Sequence, residues 1–221
     1  MSDGEARFTV LTVCTGNICR SPAAERLIRR VWVDDAPGVE VVSGGTDAMV
    51  GDPIHISMAH LLEQSGAYSG EFCAQLLTPT LVEGADLVLG MTRRHRSAAV
   101  ALAPSATGRA FTLRELARLV VDGAAEFEPA DDRAESLRRV VELASSRRRA
   151  VLDPSLDDIA DPYGRELHAY HVAFTQIAEA VDLVGRVLDG LPVSPPDPGA
   201  QPENDESGPR RGRLGWGRRR P

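Results

Sequence analysis

Residues 8–13, FTVLTV, alternate β-branched side chains with others and predict a first strand. Ser21-Pro22 then predicts a helix start, because proline is pre-set for the first helical position. Glu25, Leu27, Ile28 and Val31 continue that helix toward Asp34. Pro37-Gly38 is a turn, residues 39–42 a second strand, and residues 43–53 a Gly-rich loop. Residues 56–64 predict a helix stopped by Ser65-Gly66. A short helical turn over residues 79–83 precedes a third strand at 86–89. Thr92 is suited to cap a helix that ends at Leu102, before Pro104. Residues 109–112 predict a fourth strand and residues 113–120 a helix.

Residues 122–150 read as an insertion. Asp131 can cap a helix there, with Ala134, Leu137, Val141 and Ala144 on one face. Arg147, Arg148 and Arg149 suit the negative end of its dipole. Its charges predict a solvated surface helix, and a place beside the next loop would let it restrict access. Residues 153–164 form an acidic loop. A long last helix, 166–188, turns Leu167, Tyr170, Phe174, Ile177 and Val181 inward. From about Leu191 the chain becomes Pro, Gly and charge, without a core-forming pattern. The expected organisation is one domain over 1–190, with a helical insertion at about 122–150, and a disordered tail over 191–221.

Strands alternating with helices predict an α/β fold, an open four-stranded parallel sheet with helices on both faces. Ligands in such sheets bind outside the carboxyl ends of the strands. Hydrophobic residues make up 43% of the chain, enough to build that core. No stretch approaches the roughly 20 apolar residues of a membrane span. The opening MSDGEARF lacks a basic-then-apolar leader pattern, so the expected location is cytoplasmic. Net charge is -7, although the last twelve residues hold six arginines and no acid. All 25 basic residues are arginine, which reads as compositional bias. Three cysteines, Cys14, Cys19 and Cys73, make no disulfide framework and fit catalytic or redox chemistry in a reducing compartment.

The chemistry concentrates in VCTGNICRSP, residues 13–22, directly after the first strand. Cys14 and Arg20 are spaced C-x5-R. In a strand-to-helix loop, successive backbone N–H groups can face inward as an anion cradle, helped by the positive end of the next helix. Gly16 eases the curl and Asn17 tolerates unusual backbone angles. Arg20 offers a forked guanidinium matched to phosphate oxygens. Cys14 at the bottom of that field favours the thiolate, with Ser21 able to donate to the sulfur. The result is a nucleophile aligned beneath a bound phosphoryl group. The bare spacing by itself is more often that of a buried cysteine under an ordinary βα turn.

The nine residues CTGNICRSP resemble the signature of the low-molecular-weight protein tyrosine phosphatases, and the resemblance runs through roughly 7–120 and 150–190. It implies their three-layer, Rossmann-like fold and a metal-free, cofactor-free hydrolysis of phosphotyrosine through a phosphocysteine. The implied nucleophile is Cys14 and the implied phosphate clamp Arg20. Thr15, Gly16, Asn17, Ile18 and Cys19 would complete the phosphate-binding loop, and Ser21 would stabilise the thiolate. Asn17 would shape the cradle by bonds to neighbouring loops, one of them SGGT, residues 43–46. Spacing alone leaves Asp153, Asp157, Asp158 and Asp161 equal as general acids. The resemblance of DIADPYGRE to the family's DPY loop chooses Asp161, with Pro162 stiffening the loop and Asp158 either shaping it or, as the preferred reading, only solvating it. Tyr163 would form one wall of the substrate cleft. Met49 stands where relatives often carry an aromatic second wall. Thr15 replaces a common leucine, and Phe72-Cys73-Ala74-Gln75 replaces H-x-A-R. Family members with a pair like Cys14 and Cys19 can close a reversible disulfide; simple packing of Cys19 on the sheet is the other reading.

Outside the loop, His168 and His171 lack further ligands at metal spacing and read as surface histidines. Arg93, Arg94, His95 and Arg96 could attract anionic substrates, but read first as a solvated helix face. The Arg-rich tail has Trp216 as its one aromatic, so nucleic acid is not an expected partner. The expected partner is a phosphotyrosine protein, by family likeness a tyrosine kinase of a polysaccharide-export system. Two other functions compete. A thiol-dependent arsenate reductase would need more cysteines than Cys73 outside the loop. A non-catalytic phosphate binder would not need every reacting group that the chain carries.

Overall fold

A computed structural model describes residues 7–33, 36–148 and 153–193. Four parallel strands, β1 (Phe8–Cys14), β2 (Val39–Gly45), β3 (Leu87–Gly90) and β4 (Ala110–Thr112), form one sheet in the order β2-β1-β3-β4. Cys14 pairs with Gly45 and Val13 with Gly90, so the strands end together on one edge. Successive side chains point to opposite faces. On β1, Phe8, Val10 and Cys14 enter one apolar layer, whereas Leu11 and Val13 enter the other. Both layers are buried, which is why the strands read as almost unbroken apolar runs.

The first layer is built with α1 (Arg20–Ile28), α2 (Ile56–Gln64), α5 (Leu113–Asp122), α6 (Arg133–Ser146) and α7 (Leu167–Leu188). The second holds α3 (Pro79–Glu83) and α4 (Arg93–Leu102). Thr92 caps α4 as expected, accepting from the His95 amide. Thr112 and Glu115 close a reciprocal capping box on α5. Among the described residues no helix is long and apolar enough to cross a membrane.

Several expectations need correction. After Ile28 the first helix continues as a π-turn, Arg29–Val33. The buried residue there is Trp32, not Val31, and its indole N–H donates to Val181 O at 2.8 Å. Leu167 is exposed and Phe174 only half-buried; the inward face of α7 is carried by Tyr170, Ala173, Ile177, Ala180, Val181 and Val184. Asp132, not Asp131, caps α6. That helix is no solvated surface element: Leu137, Val140 and Ala144 are fully buried in the first layer, while Val141 is half-buried. The contacts of α6 and the turn after it run to the other end of the sheet. Ser145 bonds Gly108 O, Arg148 bonds Thr107 O and Ala110 O, and Arg138 covers the Phe8 ring, all at the amino ends of the strands. Arg149 and residues 194–221, the bulk of the expected tail, lie outside the described residues.

Candidate active site

The loop between β1 and α1 bends at Asn17, whose φ of 54° is left-handed. Asparagine tolerates that angle better than most side chains. The amide of Asn17 then bonds three segments. Its Nδ2 donates to Ser21 Oγ and to Ser43 Oγ, both at 2.9 Å, and its Oδ1 accepts from Gln75 N at 2.8 Å. Ser43 in turn donates to Glu25 Oε2 at 2.6 Å, and Arg29 pairs with Glu25 at 3.3 Å. Both amide hydrogens of Asn17 are thereby used, and Ser21 accepts one of them. The Ser21 hydroxyl hydrogen is left for Cys14 Sγ, 2.9 Å away.

The loop backbone is pinned as firmly. Asp47 N donates to Thr15 O, Met49 N to Gly16 O, both at 3.0 Å, and His55 N to Ile18 O at 2.8 Å. Gly45 permits this approach: a Cβ there would lie 2.4 Å from Thr15 O.

Above the loop is a cleft of about 220 Å³ lined by Cys14, Thr15, Gly16, Ile18, Cys19, Arg20, Asp47, Met49, Asp161 and Tyr163. Nine of these were expected from the sequence. Asn17 and Ser21 sit behind the loop instead, fully buried. Asp47 was missed. So was His55, which stacks on Tyr170 with ring centroids 4.9 Å apart and meets the Tyr163 ring edge-on at 6.0 Å. His55 and Tyr170 thus support the Tyr163 ring without lining the cleft themselves. A wider, open depression of about 440 Å³ beside α6 carries Glu126, Glu128, Glu142, Arg139 and Ser146 but no cysteine.

Arg20 is almost wholly buried. Its Nη1 donates to Ile159 O at 3.0 Å and its Nη2 meets Asp161 Oδ2 at 2.6 Å, while Nε has no partner among the described residues. A buried unpaired guanidinium donor is costly. A bound oxyanion offers it an acceptor.

The four candidate acids separate clearly. Asp153 caps its own turn by accepting from Ser155. Asp157 pairs with Arg118 at 3.1 Å. Asp158 forms a forked pair with Arg93 and also accepts from Arg93 N at 2.7 Å, which holds its carboxyl below the usual range although burial opposes this. It does not merely solvate the loop; it anchors it to α4. Asp161 alone of the four lines the cleft. Ile159 N donates to Met91 O at 2.9 Å and completes the anchorage.

The basic cluster on α4 is likewise not a simple solvated face. Arg93 pairs with Asp158, Arg96 with Glu115 at 2.8 Å, and His95 is buried. Neither loop cysteine is in a disulfide. Burial first, and the Cys14 charge next, push the Cys19 thiol up to about 12, so Cys19 stays protonated beside Cys14. His168 and His171 are exposed on α7. Among the described residues no three His, Cys, Asp or Glu groups converge for a metal.

Residues 9–156 match the family model described as low molecular weight phosphotyrosine protein phosphatase. The chain is 41% identical over 114 residues to a Ralstonia solanacearum protein named probable low molecular weight protein-tyrosine-phosphatase EpsP, covering 52% of this chain and 76% of that one. A protein of the same name from Ralstonia nicotianae is 32% identical over 174 residues, covering 79% and 91%. Among solved structures, a Geobacillus stearothermophilus arginine phosphatase, YwlE, superposes with a TM-score of 0.59 at 27% identity, covering 82% and 93%. The Erwinia amylovora tyrosine phosphatase amsI gives 0.58 at 22% identity, covering 83% and 94%, and shares the fold.

Proposed function

This chain belongs to the low molecular weight phosphotyrosine protein phosphatase family and is a cysteine-dependent phosphatase of that class, and we propose that Cys14, Arg20 and Asp161 carry its reaction on phosphotyrosine side chains. In the first step the Cys14 thiolate attacks phosphorus opposite the phenolic oxygen. An S–P bond forms, the P–O bond breaks, and Asp161 gives its proton to the departing oxygen. Arg20 and the loop amides hold the transferring oxygens. In the second step the Asp161 carboxylate takes a proton from water. The water oxygen attacks phosphorus, the S–P bond breaks, and thiolate and inorganic phosphate result.

One observation carries this reading. A serine-bonded sulfur, a buried guanidinium with an unpaired Nε, and one aspartate all line or brace a single cleft. The aryl class is supported by depth and wall chemistry. Cys14 is 2% exposed, and a phenyl ester reaches farther down than a serine ester. Ile18, Met49 and Tyr163 present apolar surface for that ring. The likeness to proteins named tyrosine phosphatases supports a phosphotyrosine protein as the partner, and we propose by family likeness a bacterial tyrosine kinase of a polysaccharide-export system.

Hydrolysis of p-nitrophenyl phosphate at mildly acidic pH tests the assignment. Wild type should turn over, Cys14→Ser should not, and Asp161→Asn should lose about 10²-fold or more, as removal of a general acid does. A crippled Asp153→Asn beside an active Asp161→Asn would overturn the choice of acid. Faster release of phosphate from phosphoarginine than from phosphotyrosine peptides would overturn the substrate class and leave the chemistry standing.

A further inference from the structure

We propose that His95 is a positioning residue for the phosphate cradle, acting through the hydroxyl of Thr15, the residue that follows the nucleophile. The inference rests on the reading of Cys14 and Arg20 as the phosphate site. His95 is 4% exposed, on the first turn of α4. Its Nε2 lies 3.0 Å from Thr15 Oγ1 and its Nδ1 2.9 Å from Thr92 Oγ1. Thr92 also accepts the His95 amide as the helix cap. The ring is therefore clamped to its own helix at one nitrogen and to the loop at the other.

A neutral imidazole has one donor and one acceptor, and a hydroxyl can serve as either, so both contacts are satisfied in either tautomer. Thr15 gains a second anchor this way. Its carbonyl is already held by Asp47 N from the β2 side, and its hydroxyl is now held from the α4 side. Thr15 itself is exposed and belongs to no strand or helix, so these two bonds fix where the loop begins its curl. Their loss would loosen the first amide above the sulfur without touching Arg20 or Asp161.

The experiment compares Thr15→Val, His95→Phe, His95→Gln and the Thr15→Val/His95→Phe pair. It measures kcat and KM on p-nitrophenyl phosphate and, separately, the Kd for inorganic phosphate. Glutamine places its amide near the position of Nε2 and can still bond Thr15; phenylalanine fills the space and cannot. One lost hydrogen bond of ordinary strength corresponds to about 3–10-fold. Thr15→Val and His95→Phe should each lower kcat and weaken phosphate by that factor. The double variant should be no worse than the poorer single, and His95→Gln should stay within about threefold of wild type. Unchanged kcat and Kd in Thr15→Val, or losses that multiply in the double variant, would overturn the proposal. Thr15 is exposed, so Thr15→Val decides the matter even if His95→Phe fails to fold. Phosphate affinity reads the cradle whether or not wild type turns over, so failure of the phosphatase reading is seen apart from failure of this one.

Discussion

Asn17 is the residue on which the loop's side-chain bonding converges. Asn17→Ala removes its bonds to Ser21, Ser43 and Gln75 and sets an alanine at a φ of 54°. Turnover of an aryl phosphate should fall more than about tenfold, given three bonds of about 1 kcal/mol each. Asn17→Gly is at ease with that angle and should regain thermal stability without regaining activity. His95 gives a pH signature. Burial first, then the charge of Arg20, lowers its pKa to about 4; Arg94 adds to this, while Asp161 and Asp158 oppose it. In the unfolded chain a histidine titrates near 6.5. Between about 4 and 6.5 the unfolded state therefore binds the extra proton. The stability owed to the neutral ring is complete above that window and is lost as pH falls through it. Urea midpoints at pH 7 and pH 5 should differ less in His95→Gln than in wild type. Cys14 and Arg20 were legible because contiguous positions carry the pattern. His95, Glu25 and Asp158 were not, because a charged or polar letter does not say whether its partner lies in water or 65 residues away, as Arg93 does from Asp158.

The acid loop is an element held by others. Arg118 fixes Asp157, Arg93 fixes Asp158, Met91 O accepts from the Ile159 N–H, and Arg20 donates to the Ile159 carbonyl. Asp158→Asn should leave phosphate affinity unchanged and misplace Asp161. The loss in kcat should then grow as the leaving phenol becomes more basic, since poor leaving groups need the proton most. An equal loss across a series of phenols would refute this role for the anchor. A helix start was readable where a cap and an apolar face coincide, as at Thr92, whereas the capping role of Thr112 was hidden at the end of a strand. The π-turn at Arg29–Val33 was not, because it shifts the buried position without changing the apolar spacing of the letters. The outward place of Leu167 was also hidden: it begins α7, beyond the layer that the later turns cover.

Across the whole molecule, chemistry and packing occupy opposite ends of one sheet. The cleft stands at the carboxyl ends of the strands, while α6 closes the first layer and meets the amino ends. Leu137→Ala should therefore cost about 2–5 kcal/mol of stability. It should leave kcat and KM at 25 °C unaltered; loss of activity in the folded variant would contradict this separation. The parallel arrangement of the four strands was legible from alternating strand and helix patterns, whereas their order and the burial of α6 needed partner surfaces that only the folded chain supplies. The two outer strands share a further feature. Arg29 bonds Val41 O on β2, and Arg148 bonds Ala110 O on β4. The carboxyl end of β2 is covered by Gln75 and Leu77. A bare outer strand is a template on which another chain can polymerise. Here an incoming β-segment would first have to evict guanidinium groups from the carbonyls it needs, so growth into fibrils from the native state is opposed on both flanks.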